Sequence, residues 1–251
     1  LTPRNFSLPR CRGGGRGGGL TAMTHPNTPY GTPTGLYRRL RDANAESWRA
    51  YTWHPFVQCL ADGTLPLTAF KRYLVQDYLF LIQFARAFAL AAYKAESPAA
   101  FRDKIAATGA LLHEMTMHVA YCAEWGIPEA AIVAEPEAPE TVAYTRWVLD
   151  RGIAGDILDL EVALAPCTVG YGEIALLIES SPSRVRADNP YESWIAMYAG
   201  EEYQTLARGA AARLDTLGES HGGAARFATL SANFAKAARL EADFWQMGLR
   251  A

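Results

Sequence analysis

The stretch LTAFKRYLVQDYLFLIQFARAFALAAYK, residues 67–94, decides the fold. Its apolar residues recur every three or four positions and its composition is dominated by helix formers, with none of the strict alternation of a strand. Gln83 and Arg86 interrupt the run from Tyr78 to Tyr93. It therefore falls short of the roughly 18 uninterrupted apolar residues of a membrane span and reads as a buried core helix. The same period continues outward from residue 36 to the end of the chain. The spacing predicts helices over 36–52, 67–94, 98–125, 139–151, 155–180, 190–217 and 223–249. Ser97 before Pro98 has the chemistry of an N-cap with proline at the first helical position, and Gly126, Gly152 and Gly218 sit where C-terminal caps are wanted. The expected class is all-α, with no sheet.

Ahead of this body, residues 1–34 are rich in Gly, Pro, Arg, Thr and Asn, include GGGRGGG, and lack apolar periodicity. They are expected to form a disordered tail, with Met23 a candidate start, and residues 35–251 to form one helical domain. Half of the 251 residues are hydrophobic, enough for a substantial core. The 24 basic and 26 acidic residues nearly balance and are interspersed through the body, which argues against nucleic acid or an anionic membrane as partner. Cys11, Cys59, Cys122 and Cys167 are irregularly spaced with no CxxC pair, so they fit neither a disulfide framework nor a zinc cluster, and a reducing cytoplasm is the simpler setting.

Several residues ask for an explanation. Asp77 is a carboxylate in a helix apolar on most faces, with Tyr73 and Phe80 on its own face. It is either a structural cap or ion-pair partner, or a polar anchor in an aromatic pocket. Cys167, in LEVALAPCTVGYGEI, follows a proline that should kink the helix. Tyr171 lies one turn on, between Gly170 and Gly172, whose small size lets a planar molecule approach the sulfur. The plain alternative is a cysteine serving as a small hydrophobe. Glu241, in RLEADFWQMGL, has Phe244 and Trp245 three and four residues on; spacing alone leans toward solvent for this glutamate. Tyr144 and Tyr198 individually read as core tyrosines. His113, Glu114 and His118 cluster on one helix, but the spacing is not HExxH and no matching cluster appears elsewhere, so no metal is expected.

Four ordered segments carry a family resemblance: HPFVQCLADGTLPLTAFKRYLVQDYLFL from His54, ALAPCTVGYGEI around Cys167, NPYESWIAMYAGEEY from Asn189, and LEADFWQMG near the end. Together they resemble the TenA (thiaminase II) family over residues 36 to 249. The resemblance implies a haem-oxygenase-like helical bundle, a homotetramer, and no cofactor. It implies hydrolysis of the aminopyrimidine moiety of thiamine and its breakdown products, with 4-amino-5-aminomethyl-2-methylpyrimidine as substrate and thiamine salvage as the role. Matched residue by residue, the nucleophile falls on Cys167, the catalytic glutamate on Glu241, the pocket aspartate on Asp77 and the hydrogen-bonding tyrosines on Tyr144 and Tyr198. The pocket wall falls on Tyr171, Phe80 and Phe244. The cysteine places the chain in the family's cysteine branch, while Phe80, where tyrosine is frequent, removes a pocket hydroxyl and bears on substrate preference. An oxidase on the same fold, or a pyrimidine-binding protein without activity, are the competing readings.

Overall fold

The computed structural model describes residues 28–250. Among the described residues there are eleven helices and no strand: α1 (Leu36–Ala43), α2 (Ala45–Thr52), α3 (Pro55–Asp62), α4 (Leu67–Tyr93), α5 (Pro98–Glu124), α6 (Glu129–Ala134), α7 (Pro139–Ala154), α8 (Ile157–Ser180), α9 (Glu192–Ala199), α10 (Glu201–Ser220) and α11 (Phe227–Leu249). The expected all-α class is therefore observed. Ser97 caps α5 by accepting from the backbone N–H of Ala100 at 3.1 Å, with Pro98 at the first helical position. Gly126 takes the left-handed conformation just past the end of that helix.

The differences from expectation have local causes. The helix expected over 36–52 breaks at Asn44, whose side-chain N–H donates to the Leu40 carbonyl at 2.7 Å and to Ser231 at 2.9 Å, competing with the helical ladder. The helix expected over 190–217 begins at Glu192 and breaks at Gly200, whose extended backbone turns α9 into α10. Two short helices, α3 and α6, lie where none was expected. In α3 the start is set by His54, whose Nδ1 accepts from the Phe56 N–H at 3.2 Å, and the end by left-handed Gly63. Gly152 and Gly218 are not caps. Both lie inside helices, at close approaches: a Cβ on Gly152 would stand 2.7 Å from Leu90, and one on Gly218 2.8 Å from Leu36.

The boundary between tail and body also shifts. Residues 1–27 and Met23 among them lie outside the described residues, but Tyr30 is fully buried and donates to Gln204 Oε1 at 2.6 Å. The packed body thus begins ahead of residue 35. Asp215 of α10 reaches back to accept from the N–H groups of Thr32 and Tyr37, which satisfies donors left open at the start of α1. Cys59 is disulfide-bonded, against the reading of the cysteine spacing, whereas Cys122 and Cys167 are free thiols.

Helices α4 and α8 are each long and apolar enough by composition to cross a membrane, which for α4 overturns the expectation that its apolar run falls short of a span. In the bundle 83% of the apolar window of α8 is buried, so it is a core helix packed against α7, α9, α10 and α11. Its buried acids need neutralising partners. Glu173 accepts from Arg41 Nη2 at 2.6 Å and from Trp48 Nε1 at 3.0 Å. Glu161 pairs with Lys104 and stands 3.6 Å from Arg213. Asp159 and Asp156 cap the start of α8 reciprocally and share Arg226.

Arg41→Ala leaves a buried carboxylate without its cation and is expected to cost about 3–5 kcal/mol in urea denaturation. Replacing both partners, Arg41→Met with Glu173→Leu, is expected to recover most of that loss.

Candidate active site

Cys167 and Thr168 are half-buried, in a run from Ile157 to Ala175 that is otherwise buried throughout. The thiol therefore sits at the one break in the burial of that run. Pro166 lies within the helix, and its carbonyl accepts from the Tyr51 hydroxyl at 3.2 Å. The glycines on either side of Tyr171 serve packing and not ligand approach. A Cβ on Gly170 would lie 2.7 Å from the Tyr51 hydroxyl, and one on Gly172 2.7 Å from that of Tyr30.

Glu241, on α11, is 2% exposed, which corrects the lean toward solvent that spacing alone gives. Spacing could not tell that α7 and α8 close over this face of α11. Its Oε1 accepts from the Tyr144 hydroxyl at 2.9 Å, and the Cys167 side chain is its second hydrogen-bond partner. Burial pushes its pKa up to about 8, with Asp77 adding to the rise and the bonds from Tyr144 and Cys167 opposing it.

Asp77, on α4, is 7% exposed, and burial raises its pKa to about 7 against the lowering effect of Tyr73. The Tyr73 hydroxyl lies 3.4 Å from Oδ2, and His118 Nδ1, from α5, lies 3.8 Å from the same oxygen. Among the described residues no arginine pairs with Asp77, so the plain reading of an ion pair with one is not seen there.

Aromatic rings enclose these groups. Phe80 packs at 5.2 Å from Tyr144 and 5.8 Å from Phe244. Tyr171 lies 5.0 Å from Tyr198 and 5.4 Å from Trp245. The two expected hydrogen-bonding tyrosines divide: Tyr144 meets Glu241, whereas Tyr198 bonds to Tyr73 and so belongs to the Asp77 side. Tyr73 is the hub the sequence reading missed. Its hydroxyl also receives Trp194 Nε1 at 3.2 Å and bonds to Tyr171. Tyr51 and Trp194 read as ordinary core from the sequence, and only the fold brings them here, beside Trp245. Trp245 Nε1 is buried and has no hydrogen-bond partner among the described residues.

His113 is exposed and His118 turns toward α4, while the Glu114 side chain lies outside the described residues. Among the described residues no group of three or more His, Cys, Asp and Glu side chains is gathered as a metal site.

A thiol, two carboxyl groups of raised pKa and a wall of aromatic rings thus gather inside an all-helical bundle. The chain belongs to the TENA/THI-4/PQQC family, whose model matches residues 41–251. It is 37% identical over 205 residues to a protein of Halalkalibacterium halodurans named aminopyrimidine aminohydrolase, covering 80% of this chain and 89% of that one. A crystal structure of a TenA family transcription regulator from Silicibacter sp. TM1040 superposes with a TM-score of 0.82 at 41% identity, covering 89% of this chain and 99% of the other. The TenA homologue from P. horikoshii OT3 gives 0.78 at 29% identity, covering 86% and 99%. The fold is thus the haem-oxygenase-like bundle that the resemblance implied.

The raised carboxyl of Glu241 couples stability to pH. Between its ordinary value of 4.5 and about 8, the folded protein keeps a proton that the unfolded chain releases. The contribution is complete below 4.5 and lost as pH rises through 8, at roughly 1.4 kcal/mol per pH unit at most. The melting temperature is expected to be lower at pH 8.5 than at pH 6, about these values, with the difference reduced in Glu241→Gln.

Proposed function

We propose that this protein is an aminopyrimidine aminohydrolase of the thiaminase II type. It converts 4-amino-5-aminomethyl-2-methylpyrimidine to the hydroxymethylpyrimidine and ammonia, in the salvage of degraded thiamine. The observation that carries this reading is the buried Glu241 between Tyr144 and Cys167, in a chain 37% identical to a protein named for that activity.

In this reading Glu241, protonated near neutral pH, gives its proton to a ring nitrogen and makes the ring an electron sink. Its carboxylate then takes the thiol proton as the Cys167 sulfur adds to the ring carbon beside the substituted one. The electron pair released into the ring expels the protonated amine as ammonia. Water adds to the exocyclic methylene so exposed, losing a proton, and departure of the sulfur with the ring-nitrogen proton restores the aromatic ring. Asp77 holds the exocyclic amino group and the adjacent ring nitrogen. Tyr144 orients Glu241, Tyr198 acts through Tyr73 on the Asp77 side, and Tyr171, Phe80 and Phe244 wall the ring. No cofactor enters these steps. A thiol that must stay reduced to act suits the cytoplasm.

The test is release of ammonia from the aminopyrimidine in a coupled assay. Cys167→Ser is expected to lower kcat by several orders of magnitude with pyrimidine binding largely kept, and Glu241→Gln to lower it by about 10²–10⁴. Asp77→Asn is expected to weaken binding as well. Full turnover in Cys167→Ser removes the covalent step.

We further propose a homotetramer. Phe101, Ile105 and Leu112 are exposed along α5, and Tyr93 is 84% exposed at the end of α4, apolar area that an assembly would cover. Light scattering is expected to give a mass near four times 27.4 kDa; a monomer mass overturns it.

A further inference from the structure

Two tyrosines to which the proposed mechanism gives no part bracket the thiol. The Tyr51 hydroxyl of α2 donates to the Pro166 carbonyl at 3.2 Å, and the Tyr203 hydroxyl of α10 donates to the Thr168 carbonyl at 3.2 Å. These carbonyls belong to the residues immediately before and after Cys167. Positions two residues apart lie about 200° apart around a helix axis. The two ties therefore reach the thiol-bearing turn from nearly opposite sides.

That turn needs outside support. Pro166 has no N–H, so the Val162 carbonyl loses its helical partner just ahead of the thiol, and the proline ring crowds the same carbonyl. Thr168 Oγ1 turns back to the Leu164 carbonyl at 3.1 Å, a bond of the kind that bends a helix. Both phenols are themselves fixed. Tyr51 is fully buried, and Gly170 makes room for it, since a Cβ there would stand 2.7 Å from its hydroxyl. The Tyr203 ring lies edge-on to Tyr198 at 4.7 Å. The next residue, Gln204, donates to the carbonyls of Gly172 at 3.1 Å and Tyr198 at 2.8 Å, which locks the start of α10 onto α8 and α9.

We propose that Tyr51 and Tyr203 are positioning residues for Cys167: from opposite sides of α8 their hydroxyls fix the turn that carries the sulfur, and so set its distance from Glu241 and from the ring carbon it attacks. The inference rests on the aminopyrimidine reading of the site. Cys167 is half-buried and bonded to Glu241, so a small rotation of its turn moves the sulfur off that partner. Displacing a reacting atom by about 1 Å costs on the order of 10²-fold in rate. In the same reading the substrate is gripped elsewhere, by Asp77 and the ring wall around Phe80. Loss of a tie therefore falls on turnover and spares binding.

Two measurements on the full chain test this, with Tyr51→Phe and Tyr203→Phe, each of which removes one hydroxyl and keeps the ring. First, kcat for ammonia release from the aminopyrimidine is expected to fall about tenfold in each variant. KM, and the affinity for 4-amino-5-hydroxymethyl-2-methylpyrimidine read by calorimetry, should stay within about threefold of wild type. An undiminished kcat in either variant, or a loss carried by KM and affinity, overturns the proposal. Second, the ties are read without substrate by amide hydrogen exchange. Exchange across residues 164–174 is expected to be severalfold faster in each variant, with α5 unchanged. Exchange unmoved at that turn, or raised equally throughout the chain, overturns the proposal. If wild type neither releases ammonia nor binds the pyrimidine, the functional reading fails, and the exchange measurement still decides whether the two hydroxyls hold the turn.

Discussion

Helix α8 has almost no solvent face, and three of its carboxylates must therefore be neutralised inside the bundle. The partners come from different places: Arg41 of α1 and Trp48 of α2 at Glu173, Lys104 of α5 and Arg213 of α10 at Glu161, and Arg226 ahead of α11 at Asp159. An unpaired charge at any of these depths costs several kcal/mol, so each pair sets the register of a neighbouring helix against α8. Cys167 lies midway along the sequence between Glu161 and Glu173. The two ion pairs thus bracket the thiol and hold its height in the bundle.

The same burial has the opposite effect on the two site carboxyls. Glu161 and Glu173 face cations, whereas Glu241 faces a phenol and a thiol, and Asp77 a phenol and an imidazole. Without a permanent positive charge, desolvation dominates and both hold protons into the neutral range. What separates an acid of the framework from an acid of the site here is the partner, and depth alone does not distinguish them.

That distinction also explains how far the sequence could be read. The period of residues 67–94 and the Ser97–Pro98 cap are local signals, and they identified the helical class and the start of α5. Asp77 and Cys167 announced themselves because each is anomalous within its own helix. For Glu241 spacing alone leans toward solvent, because an acid on an amphipathic helix ordinarily faces it, and only the family resemblance places it in the site; the helices that cover it lie far away in the chain. Tyr73, Tyr51 and Trp194 carry no local anomaly. Their roles come from neighbours across the bundle, as with the Trp194 indole N–H that donates to the Tyr73 hydroxyl. Gly152 and Gly218 were misread for a related reason: a glycine near a helix end and one at a helix crossing look alike until the second helix is in place.

The ring cluster around Tyr171 draws on five helices, with Tyr51 from α2, Tyr73 from α4, Trp194 and Tyr198 from α9, and Trp245 from α11. Two of the chain's six tryptophans thereby sit in one enclosed wall, and one of them has its indole N–H tied to a tyrosine hydroxyl. Their emission is therefore a built-in optical report on this region. A flat heterocycle seated against them would alter the intensity and colour of that light with no dye attached.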